Sequence, residues 1–395
     1  MSTTATTPTS TTLYFGPWYR RSPFFDATLR YGCTAFDIYN HTYLPAYYDD
    51  PVTEYWALLE KVTIWDVGVE RQVEITGADA FEFTNMLTCR DLTTCAVGQC
   101  KYAPIIDDRG GILNDPILLR LGEQHFWLSL ADSDVLFWAR GVALNSGLDV
   151  EIGEPDVWPI QVQGPRSADV MSKLFGDEVM GLRYYFCAET QLDGIPVVVS
   201  RTGWTSEIGF EIYLRDSSRG DELWERVMDA GREHDIRPIA PCEARRIEGG
   251  IFNYGSDFTL ENNPLEVTGM ERLVELDQEA DFIGKDALQR IASEGVSRKL
   301  VGVELSGGPM EWELTYPWPV MVDGALVGRV TDAIFSPRLE RNIGYAWVPI
   351  QSAGIGTSLQ VQTPEGEATA TVARMPFIDP GKRIPVGEPP SGPDA

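Results

Sequence analysis

The chain has 395 residues, of which 43% are hydrophobic and 23% are charged, values typical of folded proteins. This length predicts two or three domains, because single cores rarely grow beyond about 250–300 residues. The net charge of −27 argues against nucleic acid and anionic membranes as partners, since their phosphates would be repelled. The sequence shows no apolar run near the roughly 18 residues that span a bilayer and no leader pattern, so we expect a soluble, cytoplasmic protein.

Cysteine and histidine usage gives no metal signature. The six cysteines include no Cys-x-x-Cys pair, and the chain has three histidines. The spacing of Cys89, Cys95 and Cys100 matches no zinc pattern. We therefore expect reduced thiols and no metal site. Phosphate-cradling glycine motifs and the Gly-x-Ser-x-Gly elbow are also absent from the sequence, which disfavours nucleotide enzymes and serine hydrolases.

The ends and the first part of the chain have distinct compositions. Residues 1–12 and 382–395 are predicted as disordered tails. Residues 13–48 are unusually aromatic and favour an arm packed over the core. Residues 50–62 have helical spacing.

The next residues predict a folded core over 13–290 with two interleaved α+β subdomains, one over about 63–150 and the other formed by the remainder. An all-β domain is predicted over 298–379, with a linker at 290–298. The predicted strands cover 63–67, 72–75, 102–120 (two strands joined by a turn), 125–131, 160–163, 197–201 and 210–214. The predicted helices cover 78–87, 167–175, 221–234 and 242–250.

The stretch 102–120 reads as two apolar strands joined by a turn at 107–111. Gly110 and Gly111 suit the unusual backbone angles of a tight turn. Asn114 and Asp115 then stand at the start of the second strand. A polar pair on a rigid hairpin can carry chemistry, although an Asx pair that satisfies local backbone groups is the simpler interpretation.

Several segments, taken in order and spacing over most of residues 20–379, resemble the glycine-cleavage T-protein (aminomethyltransferase) family of tetrahydrofolate enzymes. The segments are Trp65-Asp66-Val67, 73–80, 110–115, 162–165, 201–205, 209–213, 246–250, 254–257, 283–285, 328–331, Ser336-Pro337 and 375–377.

Within that family, several features are most similar to tetrahydrofolate-dependent dimethylsulfoniopropionate demethylases: Glu70-Arg71, the segments 88–92, 131–134 and 246–248, and the sequence Asn114-Asp115-Pro116. T-proteins typically show Asp-Asp where this chain has Asn114-Asp115. The resemblance implies an α+β fold of three domains around a central folate site, with a C-terminal all-β domain.

The resemblance implies an enzyme that moves a methyl group from a sulfonium compound to N5 of tetrahydrofolate. Such displacement needs chiefly alignment and exclusion of water. The alternatives are an aryl methyl ether or methylated amine as donor, or a folate-binding protein without activity. In an ether the leaving oxygen needs a proton, for which His41 or Tyr43 is the candidate. The expected partner is a small-molecule methyl donor, and the oligomeric state stays open, with a homodimer as one option.

The resemblance also implies site residues around the folate. Asp115 is expected to act as an electrostatic or proton-accepting group, and Asn114 to orient by hydrogen bonds; both are predicted as catalytic. Glu211 is the predicted pterin ligand, since one carboxylate can accept two parallel N–H donors. Tyr185 and Trp204 are predicted to stack on the pterin, although core aromatics would look the same.

The remaining predicted residues concern cofactor and substrate. Arg246 is predicted among the cofactor-binding residues. Arg21, or its neighbour Arg20, is predicted to pair with a substrate carboxylate. Tyr39 and Tyr43 are predicted to belong to the part of the arm that closes over substrate.

Overall fold

The computed structural model of this protein describes residues 15–311 and 313–391. The predicted disordered tail at 1–12 lies outside the described residues. In the described part of the chain, no helix has the length and apolar character needed to cross a bilayer.

The elements alternate between helix and strand until residue 294 and are mainly strands after it. The helices are α1 (Phe25–Arg30), α2 (Pro51–Glu60), α3 (Ala80–Leu87), α4 (Val135–Ser146), α5 (Ser167–Phe175), α6 (Asp177–Met180), α7 (Gly220–Gly231), α8 (Glu243–Glu248) and α9 (Lys285–Glu294). The strands before residue 150 are β1 (Ala35–Tyr39), β2 (Thr42–Tyr47), β3 (Thr63–Asp66), β4 (Gln72–Thr76), β5 (Cys100–Tyr102), β6 (Ile105–Ile106), β7 (Ile112–Asn114), β8 (Ile117–Gly122) and β9 (His125–Ser129). The later strands are β10 (Glu151–Gly153), β11 (Trp158–Gln163), β12 (Cys187–Leu192), β13 (Ile195–Ser200), β14 (Gly209–Leu214), β15 (Arg237–Pro238), β16 (Arg298–Leu305), β17 (Trp318–Val322), β18 (Ala325–Ser336), β19 (Arg341–Pro349), β20 (Ser358–Thr363) and β21 (Gly366–Ala373).

The aromatic arm folds as a hairpin rather than as an irregular segment. β1 and β2 pair antiparallel, with Tyr39 opposite Thr42. Asn40 and His41 form the two-residue loop with φ of 51° and 60°, as a tight hairpin turn requires. The arm packs on the core through Phe24 and Phe25, which are both buried.

Two mixed layers form the core. One is a five-stranded sheet in the order β10-β4-β9-β8-β5, whose apolar face packs with Phe83 of α3 and Ala139 of α4. The other is a six-stranded sheet in the order β12-β13-β14-β11-β3-β15, covered by α5 and α7 through Met171 and Trp224. The chain crosses from the second sheet to the first between β3 and β4, at residues 67–71.

The strands β16 to β21 close into a six-stranded barrel with its own apolar core. The predicted α+β class with a C-terminal all-β domain is therefore confirmed. The predicted linker is wrong in its first half, because α9 continues to Glu294.

The chain beyond the barrel packs on the core where a disordered tail was predicted from residue 382. Lys382 donates to Ser206 Oγ at 2.9 Å, and Arg201 Nη2 donates to the carbonyl of Pro385 at 3.0 Å. Asp379 accepts from the backbone N–H of Ile384 at 2.7 Å. Residues 382–391 are thus anchored, because their polar groups find partners on the core and on each other.

Candidate functional site

The hairpin β6–β7 is held in one shape by its turn. Gly110 has φ of 85°, which favours glycine. A Cβ on Gly111 would lie 2.2 Å from the carbonyl oxygen of Leu260, so the close approach requires glycine. Asp107 Oδ1 accepts from Gly111 N at 2.7 Å. The hairpin therefore presents the residues after Ile112 in a fixed position.

Asn114 is fully buried and its amide is occupied by the protein. Its Nδ2 donates to the carbonyl of Ala131 at 3.0 Å and to Ser133 Oγ at 2.8 Å. Its Oδ1 accepts from Ala131 N at 3.0 Å. These bonds tie the hairpin to the loop after β9. Asn114 therefore orients the protein's own loop after β9. Both N–H donors of its amide are occupied, so none is left for a ligand.

Asp115 has one carboxylate oxygen bound and one free. Oδ2 accepts from the Tyr102 hydroxyl at 2.6 Å, whereas Oδ1 is buried without a hydrogen-bond partner among the described residues. Burial raises the pKa of Asp115 to about 7. A buried unpaired oxygen is costly and marks a place where a ligand proton or a positive charge would be stabilised.

Three tyrosines surround this carboxylate. Tyr102 donates a hydrogen bond to Asp115. The negative charge of Asp115 adds to burial in raising the pKa of Tyr39 and of Tyr254, the latter to about 12. Tyr254 donates its hydroxyl to the carbonyl of Ile112 at 3.1 Å. Tyr39 brings the arm hairpin into the same site. The predicted contact of Tyr39 with substrate stays a prediction.

Glu211 lies in the interior of the second sheet, with 3% of its surface exposed. Its Oε1 accepts from Gln161 Nε2 at 2.7 Å, and its Oε2 accepts from Tyr213 at 2.9 Å and from Thr202. Burial raises the pKa of Glu211. A carboxylate has about four lone-pair positions, so Oε1 retains capacity for another donor.

Gln161 places a second acceptor oxygen beside Glu211, and we call these two residues the acceptor edge. The Oε1 of Gln161 is buried and has no partner within the described chain. A pterin presents N3–H and a 2-amino group as neighbouring donors, which two adjacent acceptor oxygens can satisfy. The residues present therefore fit the pterin of tetrahydrofolate, with Glu211 and Gln161 as the groups that would hold it.

Tyr185 is held in a strained backbone conformation. Its φ is 62°, a left-handed value that is costly for a bulky residue. Its N–H donates to the carbonyl of Arg201 at 2.9 Å, and its carbonyl accepts from Cys100 N at 2.8 Å. The residue is thereby fixed between the two sheets. Burial, with added contributions from Tyr184, Cys100 and Glu211, raises the pKa of Tyr185, and its predicted stacking on the pterin stays a prediction.

Arg246 and Trp204 form a different cluster. Arg246 is fully buried; it donates to Asp257 Oδ2 at 2.9 Å and to Asp332 of the barrel. Its guanidinium lies 5.4 Å from the centre of the Trp204 ring, whose indole donates to the carbonyl of Phe252 at 3.3 Å. These contacts join core to barrel. They account for both residues without a cofactor, and the predicted cofactor contact stays a prediction.

The predicted substrate residues Arg21 and Tyr43 have other surroundings than those expected. Arg21 is exposed, with its guanidinium 4.7 Å from the centre of the Phe25 ring. Tyr43 is fully buried among aromatic rings, and its hydroxyl donates to the carbonyl of Gly16 at 3.2 Å. This burial does not fit the predicted contact of Tyr43 with substrate. Arg20 pairs with Glu154 at 2.5 Å, so it too has a protein partner.

Three residues of this site escaped the sequence analysis: Tyr102, Gln161 and Glu70. Gln161 carried a signal, since a polar side chain interrupts an apolar strand. Glu70 was noted with Arg71 as part of the resemblance but was given no role, and Tyr102 carried no signal, because the roles of both depend on which residues the fold brings opposite them.

The comparisons with known proteins agree with this architecture. Residues 24–278 match the GCVT N-terminal domain, and residues 298–379 match the glycine cleavage T-protein C-terminal barrel domain. The chain is 38% identical over 353 residues to a dimethylsulfoniopropionate demethylase of Ruegeria pomeroyi, covering 89% of this chain and 96% of that one. It is 30% identical over 371 residues to an aminomethyltransferase of Symbiobacterium thermophilum, covering 91% and 97%. The crystal structure of the glycine cleavage system aminomethyltransferase T of Bartonella henselae superposes with a TM-score of 0.81 at 22% identity, covering 91% of this chain and 98% of that one.

Proposed function

Since this chain belongs to the glycine-cleavage T-protein family, we propose that it moves a methyl group from a sulfonium compound such as dimethylsulfoniopropionate to N5 of tetrahydrofolate. Folate-dependent methyl transfer is the activity common to these relatives, and the chain is an enzyme of that class. The donor is the part that we infer from the site.

One observation carries the choice of donor. Within the described residues, Asp115, Glu211 and Glu70 form no ion pair with lysine, arginine or histidine, and Asp115 Oδ1 has no partner at all. Carboxylates that lack a cation partner favour a positively charged ligand. A sulfonium brings a permanent positive charge and a leaving group that needs no proton.

The protein's own groups have separate tasks in this reaction. Glu211 and Gln161 would hold the pterin, while Tyr39, Tyr102 and Tyr254 line the site and exclude water. Tetrahydrofolate, as acceptor, supplies N5, which takes the methyl group while sulfur leaves with the bonding electron pair. Asp115 Oδ1 can receive the N5 proton near neutral pH, because its pKa is about 7.

Alignment provides most of the expected acceleration. Holding donor and acceptor in a reactive geometry can contribute roughly 7–11 kcal/mol to lowering the barrier. The hairpin β6–β7 and the Asn114 bonds to the loop after β9 supply the rigidity on one side. The two backbone hydrogen bonds of Tyr185 supply rigidity on the other side of the site.

The test is a donor panel. Purified protein and tetrahydrofolate are incubated separately with dimethylsulfoniopropionate, dimethylglycine, glycine betaine and vanillate, and 5-methyltetrahydrofolate is measured. We expect product from dimethylsulfoniopropionate. Product from the ether or the amines alone would refute the sulfonium assignment and favour the alternative donors.

A further inference from the structure

Glu70 lies where the chain crosses from β3 of the second sheet to β4 of the first. Its backbone N–H donates to the carbonyl of Val67 at 2.9 Å, which closes a turn. Its Oε2 accepts from Ser129 Oγ at 2.9 Å, and Ser129 in turn accepts from Gln72 Nε2 at 2.9 Å. The carboxylate is therefore held by one oxygen in a fixed position between the two sheets.

The second oxygen of Glu70 has no hydrogen bond, and no cation pairs with this side chain in the described part of the chain. The neighbouring Arg71 does not serve it, because its guanidinium pairs with Glu154 at 2.5 Å. Glu70 is part-buried, so this oxygen is open to a ligand, and a carboxylate without a cation partner attracts positive charge.

Glu70 connects the two ends of the site electrostatically. Burial and the charge of Glu211 raise the pKa of Glu70. Its own charge adds to burial in raising the pKa of Tyr213 and of Tyr39. The geometry agrees, because Ser129, which holds Glu70, stands two residues before Ala131, whose backbone bonds Asn114 of the β6–β7 hairpin and Asn40 of the arm.

Tyr39 lies near the loop after β9, because the next residue, Asn40, donates its Nδ2 to the carbonyl of Ala131 at 3.2 Å. Three carboxylates act on this one ring: Asp115, Asp132 and Glu70. Asp132 has a partner, since its Oδ1 accepts from Asn40 N at 2.6 Å, whereas Glu70 and Asp115 each keep an unpaired oxygen. An onium group placed against the face of Tyr39 would gain from the ring and from both carboxylates.

We propose that Glu70 binds the positively charged centre of the methyl donor and makes the enzyme select onium donors over neutral ones. This inference rests on the proposed function, with Asp115 left to receive the proton. It assigns to Glu70 a contact with substrate rather than a role in the transfer itself. Glu70 suits this role because its carboxylate is already held by Ser129 and can attract a positive charge without moving.

The test compares ligands with and without a positive sulfur on Glu70→Gln, which keeps the size and a hydrogen-bond acceptor for Ser129. Dimethylsulfoniopropionate carries the sulfonium, and methylthiopropionate is the match with the same carboxylate, from which one methyl and the positive charge on sulfur have been removed. Glu151→Gln is the control, since Glu151 is exposed on β10 of the same sheet. Dissociation constants are measured by calorimetry without folate, and KM and kcat with saturating tetrahydrofolate.

We expect Glu70→Gln to weaken binding of dimethylsulfoniopropionate at least tenfold and to raise its KM similarly. Binding of methylthiopropionate and of tetrahydrofolate should change by less than about twofold, and Glu151→Gln should resemble the wild type. Equal weakening of both sulfur ligands, or no weakening of either, would overturn the role of Glu70 in an active enzyme. If the wild type binds the sulfonium through Glu70 but forms no 5-methyltetrahydrofolate, the inference stands and the proposed function falls. If the wild type binds no sulfonium, both fall.

Discussion

Replacing Asp115 by asparagine tests the central assignment of the site. Asparagine has nearly the same shape and can still accept the Tyr102 hydroxyl, which lies 2.6 Å from the carboxylate. The variant loses the charge and the ability to take a proton. Removing a positioned general base typically costs 10²–10⁴ in rate, so we expect turnover to fall by about that factor. Affinity for tetrahydrofolate should change little, because Asp115 does not belong to the acceptor edge at Glu211.

The pH dependence gives a second measure of the same residue. The pKa of Asp115 is raised from 3.8 to about 7 by burial, and the ionised form is the one that accepts a proton. Wild-type turnover should therefore rise as the pH increases through about 7 and then level off. The asparagine variant should lose that rise.

The stability of the wild-type protein should fall as the pH increases, whereas its turnover rises. Because the folded-state pKa is higher than the unfolded value of 3.8, the native state holds the proton more tightly, and stability from this group is lost as pH rises from about 4 through 7. The full displacement corresponds to at most about 4 kcal/mol, and solvent in the site will reduce it. Asp115→Asn should therefore be more stable than the wild type at pH 8 and equal at pH 4.

The assays are the initial rate of 5-methyltetrahydrofolate formation between pH 5.5 and 9 and urea unfolding at the two pH values. Full turnover in Asp115→Asn, or an unchanged pH profile, would refute the assignment of Asp115 as proton acceptor. A loss of stability at pH 8 would refute the claim that its charge is buried at a cost.

Three other predictions follow from single contacts. Glu211→Gln should weaken tetrahydrofolate binding about 10–100-fold, the worth of one charged hydrogen bond, with near-normal turnover at saturation; equal losses in both constants would contradict its role. Asn114→Ala removes three buried hydrogen bonds and should lower the free energy of unfolding by about 2–4 kcal/mol, measured by urea unfolding; an unchanged midpoint would contradict it. Arg246→Met leaves Asp257 and Asp332 without their cation and should lower the free energy of unfolding by about 3–5 kcal/mol. Proteolysis should then release the barrel first, and a variant as resistant as the wild type would show that Arg246 does not fasten it.

The sequence predicted the local elements well where pattern and turn chemistry agree. The turn at 107–111 is one case, because its glycines leave few alternatives. The two strands predicted around it are wrong in detail, since each is divided in two and Asn114-Asp115 lies at the break between β7 and β8. α4 was missed, since its residues Val135 to Trp138 form an apolar run without clear periodicity. The predicted linker failed at α9 for a related reason, because charged residues such as Arg290 fit a helix exposed to solvent as well as they fit a linker.

The roles of the site residues were harder to predict from the sequence than the helices and strands. Arg246, Trp204 and Glu211 lie in segments of equal resemblance, and nothing in their spacing separates them. Tertiary contacts do: Arg246 meets three carboxylates and is satisfied, while Glu211 lies beside the unpaired oxygen of Gln161. A residue type indicates which interactions are possible, but only the tertiary structure shows whether another residue of the protein is already the partner.

The same reasoning bears on the choice between an onium and an ether as donor. An ether oxygen leaves only if it is protonated, and the predicted acids were His41 and Tyr43. His41 is exposed on the arm turn, with Nε2 3.7 Å from Asp134 Oδ2, and the Tyr43 hydroxyl donates a hydrogen bond to the carbonyl of Gly16. Tyr39 and Tyr102, which do line the site, have pKa values raised by burial and by the charge of Asp115, which makes them weaker acids. A site with carboxylates to receive protons and tyrosines that give them up reluctantly is suited to a leaving group that needs none, and this property favours a sulfonium.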